Sequence, residues 1–397
     1  MMSIDIPKKK WADILCVVSG KNQKNVVDES GTYPIYGSGG IIGYANDYIC
    51  EAGTTIIGRK GTINNPIFVN ERFWNVDTAF GISPGEELLP QYLYYFCRQF
   101  NFASLDKSTT IPSLAKRDLL AIEMPVPPIL EQKRIVARIE ELFSELDNGV
   151  ETLRKTKQQL AVYRQAVLKQ AFEGRFTTHQ QLCVELPWAS EEETSTLPNI
   201  PAEWRYVALS NLGDLGRGKS KHRPRNDVKL FENGKYPFIQ TGDVKAAKRY
   251  ITEYSKMYGE FGLQQSKLWP KGTLCITIAA NIAETAFLGI DACFPDSVVG
   301  FAPFDNVCSE YVKHFIESQK LRLWAFAPAT AQKNINLDTL ENLVIPYCSF
   351  EEQKAVVSEI ESRMTLCDSI EKTVDTALQQ AEAMRQSILK QAFEGRL

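Results

Sequence analysis

The residue pattern that most strongly suggests chemistry is a match to a phosphate-binding loop. Residues 213–220 read GDLGRGKS, which satisfies G-x-x-x-x-G-K-[ST]. Such a loop needs a helix directly after it, because the helix N-terminus and the loop N–H groups hold the phosphates together. The residues that follow, KHRPR, have no apolar period and include Pro224, which would stop a helix. We therefore expect a flexible basic loop, with nucleotide binding through Lys219 as the alternative.

Other patterns associated with catalysis are incomplete. Residues 65–68 read NPIF and approach the N-P-P-[YF] signature of amino-methyltransferases, but Ile67 replaces the second proline and no F-x-G-x-G stretch accompanies it. Glu131 and Glu352 each begin the E-x-K half of a nuclease motif, but both lie at predicted helix starts, where acidic residues suit the helix dipole. The three histidines lie far apart, and the nine cysteines include no C-x-x-C pair. We therefore predict no catalytic residue and no metal or cofactor site in this chain.

Length and composition narrow the remaining possibilities. The chain has 397 residues, of which 45 are Lys or Arg and 48 are Asp or Glu, giving a formal net charge of −3. This balance argues against a uniformly basic nucleic-acid coat and against a polybasic membrane binder. No apolar run approaches the roughly 20 residues of a membrane span, and no secretory signal is evident. Because an odd number of cysteines without paired spacing fits a reducing compartment, we expect a cytoplasmic protein with no membrane partner.

An internal duplication organises the chain and predicts its longest elements. The segment LKQAFEGR occurs at 168–175 and again at 389–396, an offset of 221 residues that also aligns Glu131 with Glu352. Apolar residues at heptad spacing predict one long helix with a coiled-coil seam in each copy. The main seams are Ile139, Leu146, Leu153, Leu160 and Val167, then Ile360, Cys367, Val374, Ala381 and Ile388. Companion series run through Leu142, Gly149, Thr156 and Tyr163, then Ile370, Ala377 and Met384. Small residues in one seam can accept larger ones from the other, so we predict that the helices pair, with two separate amphipathic helices as the alternative.

The regions before the two helices are weaker repeats of each other. Each opens with a tryptophan, Trp11 or Trp204, and closes with an apolar stretch that ends in proline. Short β-rich runs between glycine turns, mixed with short helices such as residues 90–98, predict an α+β domain in each half. The predicted order is a first globular segment (1–125), a first helical spacer (126–178), an exposed acidic linker (179–200), a second globular segment (201–345) and a second helical spacer (346–397).

Positive charge concentrates in the second globular segment. Residues 217–256 contain eleven basic and four acidic side chains, and five of the basic ones alternate with other residues along one loop. Such runs are often simply solvated, but they also provide what phosphate contact and groove entry require. Polar stretches before each closing strand add Gln, Asn and Lys, residue types that can read base edges. The candidate DNA-binding residues are Lys21, Lys24, Arg59, Lys60, Lys107, Thr109, Arg217, Lys219, Lys221, Arg223, Arg225, Lys245, Lys248, Arg249 and Lys333.

Taken over its whole length, the chain resembles the specificity (S) subunit of type I restriction–modification enzymes. The most specific elements are the start of the first predicted helix, PPILEQK at 127–133, and its end, KQAFEGR at 169–175, with the E-Q-K start and the same ending repeated after a second globular segment. The resemblance implies two target-recognition domains, each of which reads one half of a bipartite DNA target. It also implies that the two helices pair antiparallel, as a spacer and as docking sites for two methyltransferase subunits.

The same resemblance implies that the chemistry lies in other subunits. Partner modification subunits would bind S-adenosylmethionine and methylate adenine, and restriction (translocase) subunits would hydrolyse ATP with Mg²⁺ and cut DNA. The expected partners are therefore double-stranded DNA, two methyltransferase subunits and the restriction subunits, with no cofactor in this chain. A coiled-coil adaptor without a role in DNA binding is a further alternative.

Overall fold

The computed structural model describes residues 6–182, 184–326 and 334–397. The chain divides into two compact units, unit 1 being Met1–Thr156 with Thr373–Leu397, and unit 2 being Lys157–Lys372. Each unit contains one globular segment together with a part of each long helix. Within the described ranges, no helix combines the length and the apolar composition needed to cross a membrane.

The two predicted helical repeats form the first long helix, Ile129–Phe172, and the second long helix, Phe350–Phe393, of 44 residues each. At 1.5 Å per residue, each helix is about 66 Å long. The glycines that follow them, Gly174 and Gly395, have φ angles of 72° and 70°. This left-handed conformation is accessible to glycine at little cost and closes the last helical turn, as the two sequence copies predicted.

Within unit 2, the two long helices run antiparallel. Lys157 lies 3.6 Å from Glu371, whereas Arg164, two turns later, lies 2.7 Å from Asp368 and has its guanidinium 3.8 Å from the sulfur of Met364. Positions therefore rise along the first long helix as they fall along the second. The predicted pairing of the helices is confirmed, and the alternative of two separate amphipathic helices is wrong.

Within unit 1, the same two helices share one hydrophobic core with the first globular segment. Arg385 forms an ion pair with Asp147, and its guanidinium lies 5.1 Å from the centre of the Phe143 ring. The residues that the helices contribute to this core are Ile135, Ile139, Phe143, Ile388, Leu389, Ala392 and Phe393.

The two heptad series differ in burial. Most residues of the main seams are less than a tenth exposed, namely Ile139, Leu160, Val167, Ile360, Cys367, Val374 and Ile388. Tyr163, Ile370 and Met384 of the companion series are exposed. Leu142, Thr156 and Ala377 of the same series are partly buried, so the companion row is covered less completely than the main seams.

The described residues of the first globular segment form nine strands in three sheets. A four-stranded antiparallel sheet, here called the main sheet of unit 1, has the order Leu15–Ser19, Ala79–Pro84, Thr54–Gly58, Ile67–Val69. A three-stranded sheet has the order Gly40–Ala45, Tyr33–Gly37, Trp74–Asn75, and the opening strand Lys8–Lys10 pairs antiparallel with the closing strand Glu123–Pro125. The helices are Trp11–Ile14, Pro90–Gln99 and Lys116–Leu120, with a 3-10 turn at Phe102–Leu105.

The described residues of the second globular segment repeat this plan, with one more strand in the main sheet and one fewer in the second sheet. The main sheet of unit 2 has the order Gly213–Arg217, Val298–Pro303, Leu274–Thr277, Thr285–Leu288, Tyr250–Ile251, and the last pair is parallel. Tyr236–Phe238 pairs with Lys256–Tyr258, and the opening strand Arg205–Ala208 pairs with the closing strand Val344–Tyr347. The helices of this region are Thr241–Ala246, Glu260–Gln264, Ser309–Ser318, Lys320–Phe326 and Leu337–Glu341, with 3-10 turns at Leu209–Asn211 and Val228–Leu230.

A buried glutamine anchors each globular segment to the start of the long helix that follows it. In unit 1, the Gln132 side chain accepts the Leu89 N–H and donates to the carbonyls of Glu87 and Pro127, each at 2.8 Å. In unit 2, the side chain of Gln353 accepts the N–H of Cys308 at 2.9 Å and donates to the carbonyl of Cys348 at 2.8 Å. The repeated Glu-Gln-Lys segment therefore has a structural role, because its glutamine forms hydrogen bonds with backbone groups of the globular segment and of the residues just before the helix.

Aromatic rings attach each globular segment to the other long helix, at that helix's C-terminal end. The Phe393 ring lies 5.0 Å from Tyr92 and 5.4 Å from Phe96, both on helix Pro90–Gln99. The Phe172 ring lies 5.1 Å from both Tyr311 and Phe315 on the equivalent helix Ser309–Ser318. These contacts explain why the phenylalanine of LKQAFEGR occurs in both copies.

The acidic linker is mostly exposed, but a few of its residues make specific contacts. Trp188 forms an isolated bridge with Val207, and its ring lies 6.2 Å from that of Tyr347. Just before the linker and at its start, Thr177 and His179 both bond to the buried carboxylate of Glu352. These apolar and polar contacts attach parts of the linker to the rest of unit 2.

Candidate nucleic-acid interface

In unit 1, several candidate residues emerge at one end of the main sheet. Strand register places Ser19 opposite Phe80 and Gly58 opposite Ala79. Strands Leu15–Ser19 and Thr54–Gly58 therefore both end beside the start of strand Ala79–Pro84, which lies between them. Lys21 follows the first of these ends, and Arg59 and Lys60 follow the second. The sheet therefore brings together basic residues that lie about 40 positions apart in the sequence.

A loop before the closing strand joins this end of the sheet. The Leu114 N–H donates to the Arg59 carbonyl and the Gly61 N–H donates to the Pro112 carbonyl, both at 2.9 Å. Asp106 closes the loop by accepting bonds from Ser108 and Ser113, and these hydrogen bonds, that of the Ser108 hydroxyl above all, lower the pKa of its carboxyl. Lys107 thereby lines one groove with Arg59, and Thr109 is exposed on the same loop.

The result is an open groove of about 520 Å³ with mostly basic and hydroxyl-bearing walls. Lys116 and Arg117, at the start of a short helix, also line it, and they are not among the residues predicted from the sequence. Asp118 is the acidic residue of the wall, and bonds from Lys107 at 3.2 Å and Arg117 at 3.4 Å lower its pKa. The groove residues are Ser19, Arg59, Phe80, Leu105, Lys107, Ser108, Ser113, Leu114, Ala115, Lys116, Arg117 and Asp118.

Unit 2 presents the equivalent end of its main sheet in the same way. The Gly20 N–H donates to the carbonyl of Ala79 at 3.1 Å, and the Gly218 N–H donates to that of Val298 at 2.9 Å. Ala79 and Val298 are each the first residue of the second strand in the order of their sheets. Lys21 and Lys219, each following its glycine, therefore occupy equivalent positions, and both are exposed.

This geometry explains the apparent phosphate-binding loop and excludes it. Residues Gly213–Arg217 form an edge strand, and the next helical turn begins at Val228. A Cβ atom at Gly218 would lie 2.2 Å from the Phe294 carbonyl oxygen, so glycine is required by packing against the neighbouring backbone. Nucleotide binding through a loop at Gly213–Ser220 is therefore wrong, because no helix N-terminus follows Lys219 to hold a phosphate.

The basic loop after this strand is held in place by its arginines, contrary to the expected flexibility. Arg225 makes two bonds to the Asp296 carboxylate, at 2.8 and 2.9 Å, and Arg217 donates to the Asp296 carbonyl at 2.9 Å. The guanidinium of Arg223 donates to the carbonyls of Ser220 and His222. These arginines order the loop, while the side chains of Lys219 and Lys221 are exposed.

Of two further candidates in unit 2, one lies at this end of the sheet and the other beside the second long helix. The amine of Lys245 lies 3.5 Å from the Asn281 side-chain oxygen, in the loop that follows strand Leu274–Thr277 at the same sheet end. Arg249 instead bonds at 3.0 Å to both Glu310 and Glu361, so it links the globular segment to the second long helix.

Two candidates lie next to residues already described, and a third lies outside the described part of the chain. Lys24 lies in the loop after Lys21, and Lys248 lies beside Arg249; both are exposed. Lys333 lies outside the described residues. Its neighbour Asn334 forms a bridge with Ala279, as Ser113 does with Lys60 in unit 1.

The described residues show no arrangement that points to catalysis by this chain. No group of three or more His, Cys, Asp or Glu side chains within the described ranges is placed to hold a metal ion. Several thiols are buried, and burial raises the pKa of Cys50 to about 12, which opposes formation of a nucleophilic thiolate.

Comparisons with known proteins agree with the two-segment organisation. The family model described as the type I restriction modification DNA specificity domain matches residues 5–160 and 201–380. The EcoBI specificity subunit of an Escherichia coli type I restriction enzyme is 26% identical, over 86% of this chain and 73% of that subunit. The EcoDI specificity subunit, also from Escherichia coli, is 24% identical, over 100% of this chain and 89% of that subunit. A solved chain described in connection with complex assembly and conformational transition of the type I R-M system covers 99% of this chain and 100% of its own length, with a TM-score of 0.75 at 17% identity, which shows that the fold is shared.

Proposed function

The chain belongs to the family of type I restriction–modification DNA specificity subunits, and from this premise we propose that each of its globular segments reads one half of a bipartite double-stranded DNA target. The observation that carries the proposal is the equivalence of the two sheet ends. Each segment presents an exposed Gly-Lys lysine, Lys21 or Lys219, beside the loop that follows the neighbouring strand. Lysines on loops at the end of a rigid sheet can contact phosphates and bring nearby side chains to base edges. The alternative of a coiled-coil adaptor without a DNA role is not supported by this family membership.

The proposal includes two methyltransferase subunits docked on the long helices. The support is the exposed companion row of the helix pair, which leaves apolar side chains uncovered in unit 2. Tyr163 and Ile370 lie on this row, and Val162 and Leu366 are also exposed apolar residues of the same helices. Apolar surface of this kind is typical of an interaction site.

The chain is proposed to be a non-catalytic, cytoplasmic subunit that carries no cofactor. S-adenosylmethionine would be held by the methyltransferase subunits, and ATP and Mg²⁺ by restriction subunits that join the same complex. The support is the incompleteness of every catalytic pattern in the sequence, together with the packing role that the glycines of residues 213–220 have in the structure.

The test is a domain exchange read by methylome sequencing. Cells that express this chain with its methyltransferase partners should show adenine methylation in one bipartite motif. Replacing residues 201–345 by the corresponding segment of another family member should change one half of the motif and leave the other half unchanged. A matched exchange of residues 1–125 should change the opposite half. A motif in which both halves change, or neither does, would contradict the assignment of one half-site to each segment.

A further inference from the structure

Two adjacent isoleucines are exposed on a β-hairpin of the first globular segment. The hairpin consists of strands Tyr33–Gly37 and Gly40–Ala45, and Ile41 and Ile42 on its second strand are 52% and 59% exposed. Gly40–Ala45 is the edge strand of its sheet. Exposed apolar residues on an edge strand favour aggregation and give no folding energy, so their presence calls for a binding function.

An irregularity in the strand pairing accounts for the exposure of both side chains. Ile35 pairs with Gly43, whereas the next residue, Tyr36, pairs with Ile41, so Ile42 is an extra residue without a partner in the ladder. In a regular strand, neighbouring side chains point to opposite faces, and one of the two isoleucines would face the sheet core. A bulge re-aims a side chain, and here both isoleucines are presented to solvent.

The hairpin tip lies at the basic end of the main sheet. A Cβ atom at Gly58 would lie 3.0 Å from Cβ of Ser38, in the hairpin turn, and Gly58 directly precedes Arg59. The Val76 N–H donates to the Tyr36 carbonyl at 3.0 Å, and the turn that begins at Val76 accepts the Arg59 N–H through the carbonyl of Thr78 at 2.7 Å. The turn that precedes the exposed isoleucines is therefore close to Arg59, one of the cations that line the groove of unit 1.

A surface that combines cations with a projecting apolar ribbon fits the major groove of DNA. A two-stranded β-ribbon fits this groove, the flanking phosphates match the basic groove residues, and thymine presents a methyl group on the groove floor. An apolar docking site for a protein partner would not need a groove with basic walls next to it.

We propose that this hairpin enters the major groove of the half-site read by the first globular segment, where Ile41 and Ile42 contact thymine 5-methyl groups. The inference rests on the proposed function and adds to it the chemical group that is recognised. It requires at least one T·A pair in that half-site, at a position where the methyl group itself contributes to affinity.

The experiment uses the complex of the full chain with its methyltransferase partners and duplexes that contain the methylated motif. Each thymine of the first half-site is replaced in turn by deoxyuridine, which removes the methyl group and keeps the base pair. At one position or more, wild-type affinity should fall about fourfold, the effect expected from losing one buried carbon. With Ile41→Ala and Ile42→Ala combined, the same replacement should have little effect.

Val27→Ala is the matched control, because Val27 is 54% exposed and forms a bridge with Ala45 at the other end of the hairpin. This variant should retain the wild-type sensitivity to deoxyuridine. A half-site without T·A pairs, a wild type insensitive at every position, or a double variant as sensitive as wild type would overturn the inference. A complex with no sequence preference at all would instead contradict the proposed function.

Discussion

In each of two glycine–lysine pairs, the glycine and the lysine have different roles. Gly20 and Gly218 allow the backbone to pass close to a neighbouring turn, since a Cβ atom would lie 1.9 Å from the Val76 carbonyl oxygen or 2.2 Å from that of Phe294. The lysine that follows each glycine is then presented to solvent at the end of a sheet. A glycine required by close packing and a lysine that we propose to contact DNA together match a nucleotide-binding motif, although no helix follows directly to hold a phosphate.

Substitution of Gly218 tests this packing role. Gly218→Ala should lower the free energy of unfolding by about 1–3 kcal/mol, because the new methyl group overlaps backbone atoms that cannot rotate away. Gly242→Ala is the control, since a Cβ atom at Gly242 meets nothing within 4 Å and alanine favours the helix Thr241–Ala246. Chemical denaturation of both variants measures the difference. Equal stability of the two would show that the tight approach at Gly218 can relax without cost.

At the level of elements, the two copies of the repeated helix start are not used in the same way. Glu352 is buried and accepts bonds from the Trp204 indole at 2.9 Å, the Thr177 hydroxyl at 2.8 Å and His179 at 3.0 Å. Glu131, its counterpart, is partly exposed and bonds to Arg134. Among the described residues, the buried indole nitrogen of Trp11 has no hydrogen-bond partner. In unit 2, the Glu352 carboxylate thus binds the residues that follow the first long helix to the start of the second long helix.

Removal of the glutamate side chain should lower the stability of the protein at Glu352 but not at Glu131. Glu352→Ala should destabilise the protein by about 2–4 kcal/mol, because it leaves the Trp204 N–H buried and unpaired and opens a cavity. Glu131→Ala at the equivalent position should stay within about 0.5 kcal/mol of wild type. Thermal unfolding gives the stability, and hydrogen exchange of residues 177–181 should rise in the first variant alone. Equal costs would contradict a role for Glu352 in fastening the linker.

The long helices were predictable from the sequence because their signal is local and repeated over many turns. Heptad spacing and a terminal glycine are read within one segment, whereas the composition of the groove depends on which distant loops the sheet brings together. Lys116 and Arg117 line the groove without any pattern that marks them in the sequence. In the sequence, nothing distinguishes Arg249 from its basic neighbours, but its carboxylate partners lie 61 and 112 positions away. Ion pairs of this kind depend on tertiary structure, so no local rule would have separated Arg249 from the exposed lysines.

At the level of the whole molecule, a net charge of −3 is compatible with DNA binding because the charge is distributed unevenly. Arginines of the loop after strand Gly213–Arg217 are bonded to a carboxylate or to backbone carbonyls, so they contribute to order more than to binding. Exposed lysines accompany these arginines at the sheet ends, namely Lys21, Lys60, Lys107, Lys219 and Lys221. A lysine in contact with a phosphate adds affinity for any sequence, whereas base edges and methyl groups provide the discrimination.

Equivalent lysines in the two halves should therefore make equal and additive contributions to binding. Lys21→Ala and Lys219→Ala should each weaken DNA binding by the complex and lower the slope of log affinity against log salt concentration by about 1, and the double variant by about 2. The methylated motif should be unchanged in all three, because a phosphate contact carries no sequence information. Lys155→Ala, which removes an exposed lysine paired with Glu151 on the first long helix, is the control and should leave the slope unchanged. A motif altered by either substitution would assign that lysine to base recognition, and unequal slopes would show that the two sheet ends do not approach DNA in the same way.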